Sequence, residues 1–156
     1  MRNRNQSGSY ANRGFDATTQ ASSHNLAKNG DLVNGVDLSG RQYTKIPYFN
    51  GDIYEGQVLN DKKDGEGVYY CANKEKRTNY EYHGMWREGV REGHGKCYYY
   101  NEDLYVGDWK ADKRHGFGEL FTRKQERYKG MWKNNMKDGK GTLTSHNGTI
   151  FTGRWF

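Results

Sequence analysis

The chain has 156 residues, of which 33% are hydrophobic and 15% aromatic, and its formal net charge is +6. This low hydrophobic content and a mean hydropathy of -1.21 argue against an ordinary globule with a thick aliphatic core. No apolar run approaches the roughly 20 residues that span a bilayer, and no apolar segment follows Met1, so we expect neither an integral membrane protein nor a secretory signal.

The first 28 residues are predicted to form a non-globular tail. Residues 1–28 are rich in Asn, Ser, Gly and Ala, and Asp16 is their only acidic residue. Because such a segment buries too little apolar surface to fold by itself, we expect it to be disordered or bound to a partner. The arginines Arg2, Arg4 and Arg13 also suggest a mitochondrial transit segment, but no amphipathic apolar face is evident, which leaves mitochondrial targeting as a minor alternative.

Residues 29–53 resemble a decayed repeat unit. The stretch 29–35, NGDLVNG, is similar to 50–56, NGDIYEG, and Asn-Gly favours a hairpin turn in both. No Gly-x-Gly motif follows between residues 36 and 49, and Pro47 would be unusual in a central strand. We therefore predict a degenerate repeat that caps the rest of the chain.

A sequence repeat begins at Tyr54 and continues to the end of the chain. Each copy has an aromatic residue, a glycine and a tryptophan at alternate positions, followed by Gly-x-Gly. Copies start at residues 54, 82, 105 and 128, with a partial copy at 151; the first has Val58 in place of tryptophan and five extra residues in the charged turn 73–78. The repeated positions are Tyr54, Gly56, Gly65, Gly67, Tyr82, Gly84, Trp86, Gly93, Gly95, Tyr105, Gly107, Trp109, Gly116, Gly118, Tyr128, Gly130, Trp132, Gly139, Gly141, Phe151, Gly153 and Trp155.

The spacing of two residues within a copy predicts extended strands. Tyr105, Gly107 and Trp109 would share one face of a strand, and a polar loop at residues 110–115 would lead to a second strand, so each copy is predicted to be a β-hairpin. Glycine is costly inside a strand, so we expect each glycine to be the floor on which a neighbouring aromatic ring lies flat. Because one hairpin is marginally stable, the copies must stack into a continuous core.

These positions resemble the MORN repeat over about residues 50–156. The resemblance implies an all-β fold: an elongated, twisted array of stacked antiparallel β-hairpins with an aromatic-rich groove. It also implies a scaffold role, since MORN proteins are often cytoskeletal, including components of ciliary axonemes and radial spokes. Val58 and the long first turn depart from the pattern, which suggests looser packing or a partner contact at the first unit.

Residue patterns that would carry chemistry are not found. The histidines His24, His83, His94, His115 and His146 occupy unrelated repeat positions, and the two cysteines, expected to be reduced, form no metal-ligand motif with them. The serines concentrate in the tail, and no helical pattern follows any Gly-x-Gly motif, which disfavours a catalytic triad and a phosphate-binding loop. We therefore expect no enzyme activity, no cofactor, no metal and no small-molecule substrate.

The third and fourth units are locally basic. Candidate anion-binding residues are Lys113, Arg114, Arg123 and Lys124. They would suit phosphoinositide headgroups or an acidic protein, and the alternative is a charged edge that prevents aggregation between sheets. Nucleic-acid binding is disfavoured, because the aromatic residues alternate with glycine and not with Lys or Arg.

Two functional hypotheses follow. The first is a non-catalytic scaffold for protein–protein interaction within a multi-subunit assembly, in which the aromatic groove and the edge of the last strand, with Thr152, Arg154 and Phe156, bind other proteins. The second is a peripheral membrane adaptor that binds anionic phospholipids through the basic units. We expect a cytoplasmic, cytoskeleton-associated protein, with a cilium or flagellum favoured.

Overall fold

The computed structural model describes residues 36–72 and 79–156, so the predictions for the tail, for residues 29–35 and for the insertion at 73–78 lie outside the described residues. Within these residues, ten strands form one antiparallel sheet whose strand order follows the chain, which confirms the predicted all-β array of hairpins. The strands are β1 (Gln42–Pro47), β2 (Ile53–Leu59), β3 (Lys62–Tyr70), β4 (Asn79–Arg87), β5 (Val90–Tyr99), β6 (Leu104–Lys110), β7 (Lys113–Phe121), β8 (Arg127–Lys133), β9 (Met136–Thr144) and β10 (Ile150–Trp155).

A row of glycines crosses the sheet from β2 to β10, and each glycine in the row lies opposite a glycine of the next strand. The row consists of Gly56, Gly67, Gly84, Gly95, Gly107, Gly118, Gly130, Gly141 and Gly153. A Cβ atom at Gly118 would lie 2.3 Å from the Tyr105 hydroxyl oxygen, and one at Gly107 would lie 2.4 Å from the Gly118 Cα. The second glycine of each Gly-x-Gly motif therefore lies under a tyrosine ring, where no side chain fits.

The first glycine of each Gly-x-Gly motif has a different role. These glycines have φ values from +59° to +102° and lie where the register of the hairpin shifts. They are Gly65, Gly93, Gly116 and Gly139. The prediction that every glycine lies under an aromatic ring is therefore wrong for the first glycine of each motif. That glycine instead provides the positive φ that a β-bulge requires.

The turn inside each hairpin has two residues, both with positive φ, as a type I′ turn requires. The four turns are Asn60-Asp61, Glu88-Gly89, Ala111-Asp112 and Asn134-Asn135. The predicted loop at residues 110–115 is therefore too long, because Lys113, Arg114 and His115 belong to β7. Their charges look typical of a loop, yet Arg114 lies against the aromatic face of the sheet.

The core is a ladder of alternating tyrosine and tryptophan rings on one face of the sheet, which we call the inner face. Trp109 meets Tyr82 of the preceding unit and Tyr105 of its own unit edge to face, with centroids 5.4 and 5.2 Å apart. The Tyr105 hydroxyl donates to the carbonyl oxygen of Asp108 at the bulge, at 3.0 Å. Each tryptophan thus joins two units, and the tyrosine hydroxyl satisfies a backbone group that the bulge leaves unpaired.

The first unit differs because it has no complete unit before it. β1 replaces that unit, with Thr44 opposite Gly56 and Ile46 opposite Tyr54. A tryptophan at position 58 would have no preceding tyrosine ring to bridge, which explains why Val58 suffices there. Pro47 ends β1, the outermost strand on this side of the sheet among the described residues, where a missing N–H is tolerated.

Candidate binding surfaces

A cation covers the aromatic ladder in each of the first four units. It is the ninth residue after the first tyrosine of the unit, at the start of the second strand, and its charged group lies over a ring. The distances to the ring centroid are 3.9 Å for Lys63 over Trp86, 4.3 Å for Arg91 over Trp109, 4.4 Å for Arg114 over Trp132 and 4.6 Å for Lys137 over Tyr128. The sequence analysis did not identify these four cations as one group, although their constant distance from the first tyrosine of each unit is visible in the sequence.

The predicted aromatic groove therefore does not present free rings. The four tyrosines that begin the complete units are at most 1% exposed, and Trp109 and Trp132 are 4% exposed. A protein that approaches the inner face meets Lys and Arg side chains first, with the rings beneath them.

The four candidate anion-binding residues are not gathered into one site. Arg114 lies over Trp132, and its Nη2 donates to the carbonyl oxygen of Asn135 at 2.9 Å. Lys113 and Lys124 are exposed, and Arg123 lies 3.6 Å from the carboxylate of Glu102. Lys113 begins β7, and Arg123 and Lys124 follow the other end of that strand. Because a strand rises about 3.3 Å per residue, Lys113 lies roughly 30 Å from them.

On the opposite, outer face, many of the charges are paired. The Glu119 carboxylate forms ion pairs with Lys129 at 2.9 Å and with Arg127 at 2.5 Å. Burial alone would raise the pKa of Glu119, but hydrogen bonds from these two cations outweigh it and hold the pKa below its usual value. Lys140 and Arg154 differ, since they lie directly opposite each other and neither side chain has an ion pair or hydrogen bond within residues 36–72 and 79–156.

The second long edge of the sheet is β10, which pairs with β9 on one side and with no strand among the described residues on the other. Ile150 and Phe151 are 65% and 54% exposed. The Thr152 hydroxyl lies 3.1 Å from that of Thr142 on the outer face, and Phe156, beyond the end of β10, is fully exposed. Of the candidate edge residues, Thr152 and Arg154 thus belong to β10, whereas Phe156 follows it.

The histidines and cysteines do not form a reactive centre in the part of the chain that the structure describes. His83 contacts Glu81, and no group of three or more His, Cys, Asp or Glu side chains there could hold a metal ion. Cys71 and Cys97 are free and buried, and burial raises the pKa of Cys97 to about 11. Cys97 is therefore a protonated thiol at neutral pH, and it packs with the ladder.

Comparison with known proteins agrees with the geometry. The model of the MORN repeat family matches residues 54–76, 82–104, 105–122 and 128–150, and each match begins at the tyrosine that opens a unit. This chain belongs to the MORN-repeat family. MORN repeats are generally non-catalytic and bind proteins or membranes. A search of curated proteins finds no match to the MORN-repeat chain. No helix within its described residues is long and apolar enough to cross a membrane.

Proposed function

We propose that this MORN-repeat protein is a non-catalytic scaffold, a structural subunit of a larger assembly that holds other proteins through the open edge of β10. The proposal rests on that edge. Beyond β10 the sheet has no further strand among the described residues, and Ile150 and Phe151 at the start of β10 are more than half exposed. An unpaired edge is a template for another strand, and proteins normally shorten, charge or cover such edges.

The edge is a better docking site than the inner face. Cations already cover the rings of the inner face, so a partner would have to displace Arg91 from Trp109 and from its ion pair with Asp112, at 2.9 Å. Addition of a strand to β10 displaces no interaction of this kind. It would also cover Phe151, whose counterparts in the complete units are tyrosines that are at most 1% exposed.

Affinity capture tests the proposal. The full chain, tagged at its N-terminus, should retain stoichiometric protein partners at moderate salt, and removal of residues 151–156 should lose them. A K113E/K124E double variant, altered far from β10, is the matched control and should retain the partners. Recovery of the full chain alone would contradict the scaffold role, whereas partners that survive the deletion would contradict the edge as the docking site.

The cytoskeletal setting rests on the family resemblance. We propose that the assembly is cytoskeletal, with a cilium or flagellum favoured, because MORN proteins commonly occur there. After detergent extraction, the tagged chain should remain with the insoluble cytoskeleton. Its complete release into the soluble fraction would count against this setting.

The membrane-adaptor hypothesis is less favoured by the geometry. Lys113 begins β7, Lys124 lies in the turn after the other end of that strand, and the guanidinium of Arg114 lies over Trp132. Vesicles that contain phosphatidylserine and phosphoinositide would test the hypothesis at low salt. Salt-sensitive binding that K113E/K124E abolishes would favour the adaptor role over the scaffold.

A further inference from the structure

The outer face of the sheet carries opposite charges on its two halves. Each strand from β2 to β10 has three outer positions in the five residues around its glycine of the row, such as residues 53, 55 and 57 in β2. At these positions β2, β3 and β4 have three acidic residues and no Lys or Arg: Glu55, Glu66 and Glu81. The same positions of β8, β9 and β10 have four basic residues and no Asp or Glu: Arg127, Lys129, Lys140 and Arg154. Such a face is complementary to itself when a second copy is turned end for end.

Glu66 and Lys140 have no charged partner within their own copy. Both are exposed, and neither side chain has an ion pair or hydrogen bond in the described ranges 36–72 and 79–156. They lie on β3 and β9, each of which is paired with a strand on both sides. Other charges of the face are paired already, such as Glu55 with Lys45 of β1 at 3.5 Å.

The same two residues occupy one repeat position, the middle of Gly-x-Gly. In the four complete units this residue is Glu66, His94, Phe117 and Lys140, on β3, β5, β7 and β9. It therefore changes from acidic to basic along the sheet, and β6 lies midway between β3 and β9. A half-turn about an axis along β6 inverts the strand order and turns the sheet over. Glu66 of each copy would then face Lys140 of the other.

Apolar side chains are exposed between these two charges. Phe117 and Met131 are directly opposed on β7 and β8 and are 47% and 41% exposed, and Met85 on β4 is 38% exposed. The same half-turn would place Met85 over Met131. Seven strands about 4.8 Å apart, each with five residues of about 3.3 Å, cover roughly 600 Å² on each copy. The total of about 1,200 Å² is the size of a small specific interface.

We propose that the outer face binds the outer face of a second copy of this chain, across a twofold axis along β6. Sheets that pack face to face keep their strand directions nearly aligned, as this axis requires. The dimer pairs Glu66 with Lys140 twice and covers Phe117. This inference goes beyond the scaffold role and does not depend on the β10 edge.

Exchange of the two charges tests the arrangement. Sedimentation equilibrium at low salt measures the dissociation constant of the dimer. Glu66→Lys and Lys140→Glu should each weaken the dimer about tenfold, because each makes two attractive contacts repulsive. An E66K/K140E double variant should return to within about threefold of the original constant, since the pair is restored with its charges exchanged. An equimolar mixture of the two single variants should form heterodimers for the same reason.

Lys124→Glu is the matched control for net charge. It makes the same change as Lys140→Glu, but at an exposed residue in the turn after β7, away from the proposed interface. It should alter the dissociation constant by less than about twofold. Circular dichroism of each variant should match that of the original chain, because all three side chains are exposed.

Carbodiimide cross-linking, which joins a carboxylate to an amine in direct contact, gives a second readout. Within one copy, Glu66 and Lys140 are six strand spacings apart, roughly 29 Å, so a bond between them forms only between copies. A mixture of 14N-labelled and 15N-labelled chains should therefore give a Glu66 to Lys140 cross-link that contains one peptide of each label.

Three outcomes would overturn the inference. The first is a chain that stays monomeric at about 1 mM and low salt. The second is a dimer that neither reversal weakens, which would assign self-association to another surface. The third is loss of the dimer in both single variants without recovery in the double variant, which would exclude the twofold pairing. Each leaves the scaffold role standing, because capture of partners through residues 151–156 tests that role separately.

Discussion

Several cations of this protein pack against aromatic rings, although their charge suggested that they bind an anion. Arg114 was a candidate for binding an anion, but its guanidinium lies 4.4 Å from the Trp132 centroid and 5.7 Å from that of Tyr105. Lys63, Arg91 and Lys137 occupy the same repeat position and make the same kind of contact. A cation recurring at one offset in a repeat is therefore evidence for a structural role, because an external ligand would not need one in every unit.

Replacing Arg114 by alanine should destabilise the protein by about 1–2 kcal/mol, since it removes a cation from two ring faces and a hydrogen bond to the carbonyl of Asn135. Lys113→Ala, its exposed neighbour, is the matched control and should change stability by less than about 0.5 kcal/mol. Urea unfolding monitored by tryptophan fluorescence measures both. Equal effects of the two substitutions would contradict the packing role of Arg114.

Among the elements, the hairpin is set by its turn and its bulge. Both central residues of each type I′ turn have positive φ, although the turns differ in sequence. Ala111, with φ of +47°, is the least suited of these residues, because its Cβ is crowded in the left-handed region and it has no polar side chain to compensate. The twist of the flanking strands, together with the ring contacts that follow them, imposes the conformation.

Ala111→Asn should stabilise the β6–β7 hairpin by about 0.5–1 kcal/mol, because asparagine tolerates the left-handed conformation and is favoured at this turn position. Ala111→Val should destabilise the hairpin by about 1–2 kcal/mol, since a β-branched residue is strained there. Thermal unfolding of the two variants beside the full chain gives the comparison. Stabilisation by valine would show that the turn adopts a different geometry in solution.

At the scale of the whole molecule, the described sheet gains its burial from phenol and indole rings instead of a thick aliphatic core. Burial is the largest cause that raises the pKa values of Tyr54, Tyr82 and Tyr105 well above their ordinary value. These neutral phenols are at most 1% exposed, and they recur from unit to unit. Stability should therefore depend on alkaline pH more steeply than in a protein with an aliphatic core.

The sign of this dependence follows from proton binding. Above pH 10, the ordinary pKa of tyrosine, the unfolded chain loses phenolic protons that the folded chain retains. The stabilisation is therefore complete below pH 10 and is lost as the pH rises above it, by about 1.4 kcal/mol per pH unit for each buried tyrosine. Urea unfolding at a series of alkaline pH values measures the slope. Tyr105→Phe should reduce the slope by one tyrosine, and a slope of zero above pH 10 would contradict the burial of these phenols.

Much of the fold could be predicted from the sequence because the same residue pattern recurs in every unit and each copy predicts the same hairpin. The spacing of two between Tyr105, Gly107 and Trp109 identified the strand and its inner face, and recurrence of the pattern identified the stacked hairpins. The two-residue turn at Ala111-Asp112 was missed, since neither residue is a strong signal for positive φ. The role of Gly116 was also missed, because a bulge and a ring contact both call for glycine.

The candidate site was less predictable for a physical reason. The density of positive charge in the sequence suggested that one anion-binding site contains Lys113, Arg114, Arg123 and Lys124. Only the folded sheet shows that the length of β7 lies between the first two and the last two, and that Arg114 packs on Trp132. Period, strand faces and family are local and repeated, so the sequence alone determined them. Tertiary structure decided which cations are covered and which strands have no neighbour among the described residues, because both depend on contacts between residues distant in the chain.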